Sequence, residues 1–270
     1  GSNQKMEHDQ LRDALGRFFH RELDRRYDLS YLEGLPELAE TRLLEKVPEE
    51  HLDRIRDFFK RVMYPVGSAR EVRDRGVETV EALLSNTGSL ISLLPKLPTI
   101  VLRHGMRLPA ISSAGLHVVS AYRRARRYEE KVLKEVEALG ESEIGPVEPG
   151  GSTSDAEPEE EDGNAWRLFR RAYGVLSEEE TERILQDTER IVRLGMDKPL
   201  IAATIDIVEM VRESRHDPEE RNALNYVGEV LREVRALSQE FSRAEVSRVL
   251  ELSEMVERDY FRRLREERRK

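Results

Sequence analysis

The chain has 270 residues, 45 Lys+Arg against 54 Asp+Glu, a net charge of −9 and no cysteine. Without cysteine it can hold no disulfide, thiolate metal site or cysteine nucleophile. No stretch approaches the ~18 uninterrupted apolar residues of a spanning helix; the nearest, 90–102, is broken by Pro95, Lys96 and Pro98.

Gly1-Ser2 reads as a remnant of tag cleavage, and residues 1–5 as a disordered start. From residue 6 the periodicity is helical. Leu11, Leu15, Phe18, Phe19 and Leu23 recur at spacings of three and four and predict a helix over 6–27. A shorter helix is expected over 36–45, and another over 49–63, which Tyr64-Pro65 stops because proline pushes its predecessor out of the α region. Ser68/Glu71, Ser177/Glu180 and Ser242/Glu245 fit the capping box, in which serine and glutamate satisfy each other's free backbone N–H groups. Asp217-Pro218-Glu219-Glu220 is a further helix start, with an N-cap acid, Pro at the first position and acids facing the positive end of the dipole. Apolar stripes then run from Leu224 to Phe241 and from Val246 to Leu264. No stretch alternates with period two, so the fold class is all-α, a multi-helix bundle or array.

One segment differs in kind. Residues 141–164 hold nine acids and no base, together with prolines and glycines, and lack aromatic residues. Such a composition cannot offset its ordering entropy, so it reads as an acidic flexible linker between helical halves 6–140 and 165–270. Outside it, 45 acids face 45 bases. A neutral body gives no electrostatic footprint for nucleic acid, which is disfavoured as a partner.

The halves echo each other. Residues 101–111 align with 191–201, sharing Arg103/Arg193, Gly105/Gly195, Met106/Met196, Pro109/Pro199 and Ile111/Ile201. The pattern predicts a helix ending at a left-handed glycine, a turn, and a proline opening the next helix. The helices so opened, 109–122 and 199–212, are apolar nearly all round and are expected at the centre of their layers.

Motifs for phosphate loops, dinucleotide sites, zinc proteases, serine hydrolases and calcium loops are missing, and no metal or cofactor is expected. Three constellations remain. Small and apolar residues over 89–122 suggest a helix-lined pocket for a hydrophobic molecule or lipid, with Leu90, Leu94, Val101, Ile111, His117 and Val118 as lining residues. Arg123, Arg124, Arg126 and Arg127 form a dense basic cluster for an anion or acidic partner, and the acidic segment is an internal candidate for it. Asp206 and Glu209, i and i+3 on one helix, could work with His117 as an acid–base set in a helical enzyme, although ion pairing is the simpler reading.

The leading expectation is a non-catalytic scaffold or adaptor that binds a protein partner. A carrier of a hydrophobic ligand comes second and a helical enzyme third. Membrane-surface docking is admitted but not favoured, the cytoplasm is the favoured compartment, and the oligomeric state is left open. An enclosed apolar cavity would favour the carrier, carboxylates converging on His117 the enzyme, and an exposed apolar patch the adaptor.

Overall fold

The computed structural model describes residues 2–86, 88, 91, 93–140 and 158–270, with side chains from residue 7 and again from residue 165. Thirteen helices and no strand occur among the described residues. In order they are α1 Ser2–Arg26, α2 Leu29–Glu33, α3 Pro36–Thr41, α4 Leu43–Lys46, α5 Glu49–Val62, α6 Ser68–Ser85, α7 Leu97–His104, α8 Leu108–Leu139, α9 Pro158–Tyr173, α10 Glu178–Gly195, α11 Lys198–Ser214, α12 Pro218–Glu240 and α13 Arg243–Arg269. The all-α reading is therefore correct, with helices on both sides of the acidic segment.

The boundaries show which local signals operate. Ser177 N–H donates to Glu180 Oε1 at 3.0 Å and Glu180 N–H to Ser177 Oγ at 3.1 Å; Ser242 and Glu245 repeat this at 3.0 and 3.2 Å. Asp217 caps α12 by accepting from Glu219 N–H. The Ser68 box does not form. Gly67 takes the cap position at φ 62°, where a Cβ would be strained, and Ser68 becomes the first helical residue with no side-chain cap bond. The helix expected over 36–45 is two short ones, separated by Arg42 at φ 52°. At the chain start, residues 2–5 belong to α1, which begins ahead of the expected position. Residues 141–157 of the acidic segment lie outside the described residues. The helix α9 begins at Pro158, a residue suited to a first helical position, within the acidic segment.

Neither echoed glycine is left-handed. Gly105 closes α7 at φ −53°, ψ −40°, and Gly195 is the last residue of α10 without a positive φ. What Gly195 supplies is room, because a Cβ there would stand 2.8 Å from Val234 Cγ1 of α12. The two proline-opened helices also differ. Leu200, Ile201, Ala203, Ile205, Met210 and Val211 of α11 are buried as expected, whereas the start of α8 is not.

The chain separates into two compact units, and each draws on residues from both sides of the acidic segment. The first comprises residues 1–45, 124–185 and 252–270. Its core joins Leu15, Phe18, Phe19 and Leu23 of α1 to Val132 and Leu133 of α8, Phe169 and Tyr173 of α9, and Val256, Phe261 and Leu264 of α13. Aromatic rings meet within it, with Phe18 on Phe169 at 5.4 Å and Phe19 edge-on to Tyr173 at 5.0 Å. The second unit comprises 46–123 and 186–251. There α12 packs against both α6 and α11. Leu93, Val211 and Leu224 form a core to which Leu83, Leu97, Ile207 and Val208 add.

Candidate functional site

The second unit turns an aliphatic surface outward. The helix α7 is short and opens with Pro98 in its first turn, and Ile100 is its buried residue. Its inner side is fixed to α11 by polar contacts: His104 Nε2 lies 2.6 Å from Asp206 Oδ2, Arg103 Nη1 lies 3.5 Å from the same oxygen, and Lys96 Nζ donates to Glu213 Oε2 at 3.2 Å. Leu93 and Leu97 enter the core beside Val211. With that side fixed, Val101 and Leu102 face out, Leu102 at 87% exposure. Met106, in the corner between α7 and α8, is 99% exposed. The first three turns of α8 contain no buried residue before Val119, and Leu116 and Val118 are open to solvent. Every large hydrophobic residue exposed among the described residues falls within 91–118, Ile91 and Leu94 being the others. Exposed aliphatics are usually scattered singly over a protein surface, and here they concentrate in one stretch of the chain.

The charge pattern coincides with this surface. From Ala82 to Tyr128 the sequence contains no Asp or Glu, in a chain where one residue in five is acidic. The same 47 residues carry Lys96, Arg103, Arg107 and the 123–127 arginines. Periodicity alone misses this signal, whereas the distribution of acids along the chain contains it.

The expected site residues are placed as follows. Leu90 lies outside the described residues. Leu94, Val101 and Val118 are exposed and so do not line an enclosed cavity, and Ile111 and His117 are half-buried. His117 Nε2 is 3.5 Å from Ser113 Oγ, one turn back on the same helix. Asp206 is taken up by His104 and Arg103, and Glu209 accepts from Arg232 Nη2 at 2.6 Å. Each carboxylate thus has its own cation, and His117 lies against Ser113 rather than either of them. Arg193 and Arg212 are engaged elsewhere, Arg193 with Glu189 and Arg212 with Asn225. In the basic cluster, Arg123 pairs with Glu81, Arg124 and Arg126 also have partners, and Arg127 is exposed. No group of three or more His, Asp or Glu side chains suited to a metal ion occurs among the described residues.

Sequence reasoning did not find the buried ionic network of the first unit. The Glu22 carboxylate, with no exposed side-chain surface, accepts from Arg170 Nη1 at 3.0 and 3.3 Å. Arg170 also donates to both oxygens of Glu267, at 2.8 and 3.2 Å. Nearby, Arg26 donates to Glu257 at 2.6 Å and lies over the Tyr260 ring at 4.2 Å. Burial acts against the Arg170 charge, but the Glu267 hydrogen bonds and the Glu22 field outweigh it and hold the guanidinium protonated above its ordinary range. Burial likewise pushes the Tyr27 and Tyr260 hydroxyls above the ordinary tyrosine value. An open cleft of about 480 Å³ is lined by Arg21, Asp24, Arg25, Asp28, Ser30 and Tyr31, and one of about 190 Å³ by residues that include Arg75, Glu78 and Arg215. Neither contains an expected ligand residue.

No family model, curated protein or solved structure matches this chain.

Proposed function

We propose that this protein is a non-catalytic helical docking scaffold, or adaptor, whose binding element is the exposed aliphatic surface of residues 91–118. The single observation that carries this reading is the confinement of the exposed large hydrophobic residues to that stretch, with Leu102 and Met106 almost wholly in solvent. Leaving such side chains in water costs free energy on the order of 1.5–3 kcal/mol each relative to covering them, so a covering surface is favoured. The dispersal of Asp206, Glu209 and His117 among separate partners supports binding over acid–base chemistry. The outward lining residues support a surface over a carrier's pocket.

The test is site-specific photo-crosslinking. A photoreactive amino acid at Met106, in cells expressing the full chain, should give adducts to whatever covers the surface, protein or lipid, and the same group at exposed Arg167 of the first unit should give none. Equal adduct patterns at both positions, or no adduct at 106, would remove the docking reading.

A further inference from the structure

Resting on that docking reading, we infer that what covers the 91–118 surface is an anionic membrane surface. Three observations point to lipid. The first is charge. The stretch from Ala82 to Tyr128 holds no carboxylate, so nothing in it repels phosphate or carboxylate headgroups. The carboxylates that approach the surface from α11, Asp206 and Glu213, are each occupied by its own bases, Arg103 and His104 in one case and Lys96 in the other. The second is exposure. Leu102 in the last turn of α7 and Met106 in the turn before α8 are almost wholly in solvent. A protein partner must supply a matching pocket for each such side chain, whereas a fluid lipid interface accepts any exposed aliphatic group to a depth of roughly 5–10 Å. The third is the position of a base. Arg107, next to Met106 in the chain, is exposed, which suits guanidinium contact with headgroups while the methionine enters the acyl boundary. A second copy of this chain is a poorer occupant, since two such surfaces would bring like charges together.

The chain has no cysteine, so Met106→Cys supplies one labelling site for an environment-sensitive fluorophore on the full-length protein. The probe is a vesicle of phosphatidylcholine with about 30% phosphatidylserine, compared with phosphatidylcholine alone. The label at 106 should shift to the blue, and the protein should sediment, with anionic vesicles only; a label at Arg167→Cys should not shift. Adding Leu102→Asp should lower the bound fraction about tenfold or more, because a charge then replaces an inserting side chain. Raising salt from ~0.1 M to ~1 M should weaken binding as the Debye length falls from about 10 to 3 Å, and Arg107→Glu should weaken it at low salt. Equal binding to neutral vesicles would overturn the inference, as would an unshifted label at 106 or indifference to Leu102→Asp. A shift that grows with protein concentration without vesicles would assign the surface to a second copy. Protein adducts at 106 without vesicle binding would overturn the membrane and leave the docking reading standing.

Discussion

Arg170 Nη1 stands 3.0 Å from Glu22 Oε1, and the Glu22 side chain has no surface in contact with solvent. The pair joins α9 to α1 inside the first unit, and Glu267 of α13 completes it. Removing one partner leaves an uncompensated charge in a medium that solvates it poorly. Arg170→Met should therefore destabilise the fold by about 3–5 kcal/mol, whereas replacing Glu22 and Arg170 together by Leu and Met should cost much less. Urea unfolding followed by circular dichroism measures both. A double variant as unstable as Arg170→Met alone would show that the loss comes from packing rather than from the stranded carboxylate.

The tight glycines allow a comparison. A Cβ at Gly174 would meet the Leu264 carbonyl oxygen at 2.5 Å, a backbone atom that cannot turn aside. At Gly195 the obstacle is Val234 Cγ1 at 2.8 Å, a side-chain methyl that can shift. Gly174→Ala should lower stability by about 1–3 kcal/mol and Gly195→Ala by less, because helix propensity offsets part of a milder clash. Thermal melts of the two variants check the order.

The capping box at α10 predicts a pH dependence. Burial alone would raise the Glu180 carboxyl, but hydrogen bonds from Lys131 and from the Ser177 N–H outweigh it and hold the group below the ordinary 4.5. A depressed folded value means stability that is present above 4.5 and lost as pH falls through the folded value. Glu180→Gln should therefore be less stable than the parent at neutral pH, with the difference shrinking on acidification below 4.5. Denaturant midpoints taken across that range decide it, and a difference that stays constant with pH would contradict the assignment.

Outward and inward sides of α7 should respond oppositely to charge. Ile100 is buried and Leu102, two residues on, is 87% exposed. Ile100→Asp buries a carboxylate and should cost several kcal/mol, whereas Leu102→Asp should stay within about 0.5 kcal/mol of the parent. Comparable losses at the two positions would mean that Leu102 is covered in solution.

Much of the fold was legible in the sequence because helix signals are local. Ser177 with Glu180 and Asp217 with Glu219 fix their helix starts by contacts two or three residues apart. Ser68 fails because Gly67 takes the cap position, a competition that the S-x-x-E spacing does not register. The orientation of 109–122 was not legible. A helix apolar nearly all round says nothing about which side has neighbours; α11 has them on several sides, whereas the start of α8 does not. Glu22 was equally hidden, since its burial depends on Arg170, 148 residues away. The missing acids from Ala82 to Tyr128 were visible throughout and indicate which apolar stretch faces outward.

The account rests on residues 91–118 being open in the isolated protein and covered where it works. Thiol footprinting of the Met106→Cys variant, whose introduced thiol is its only one, compares the two states directly. The account predicts rapid alkylation of that thiol in purified protein and strong protection in intact cells, with an Arg167→Cys control reacting at similar rates in both. Alkylation at position 106 in cells as fast as in the purified protein would contradict it.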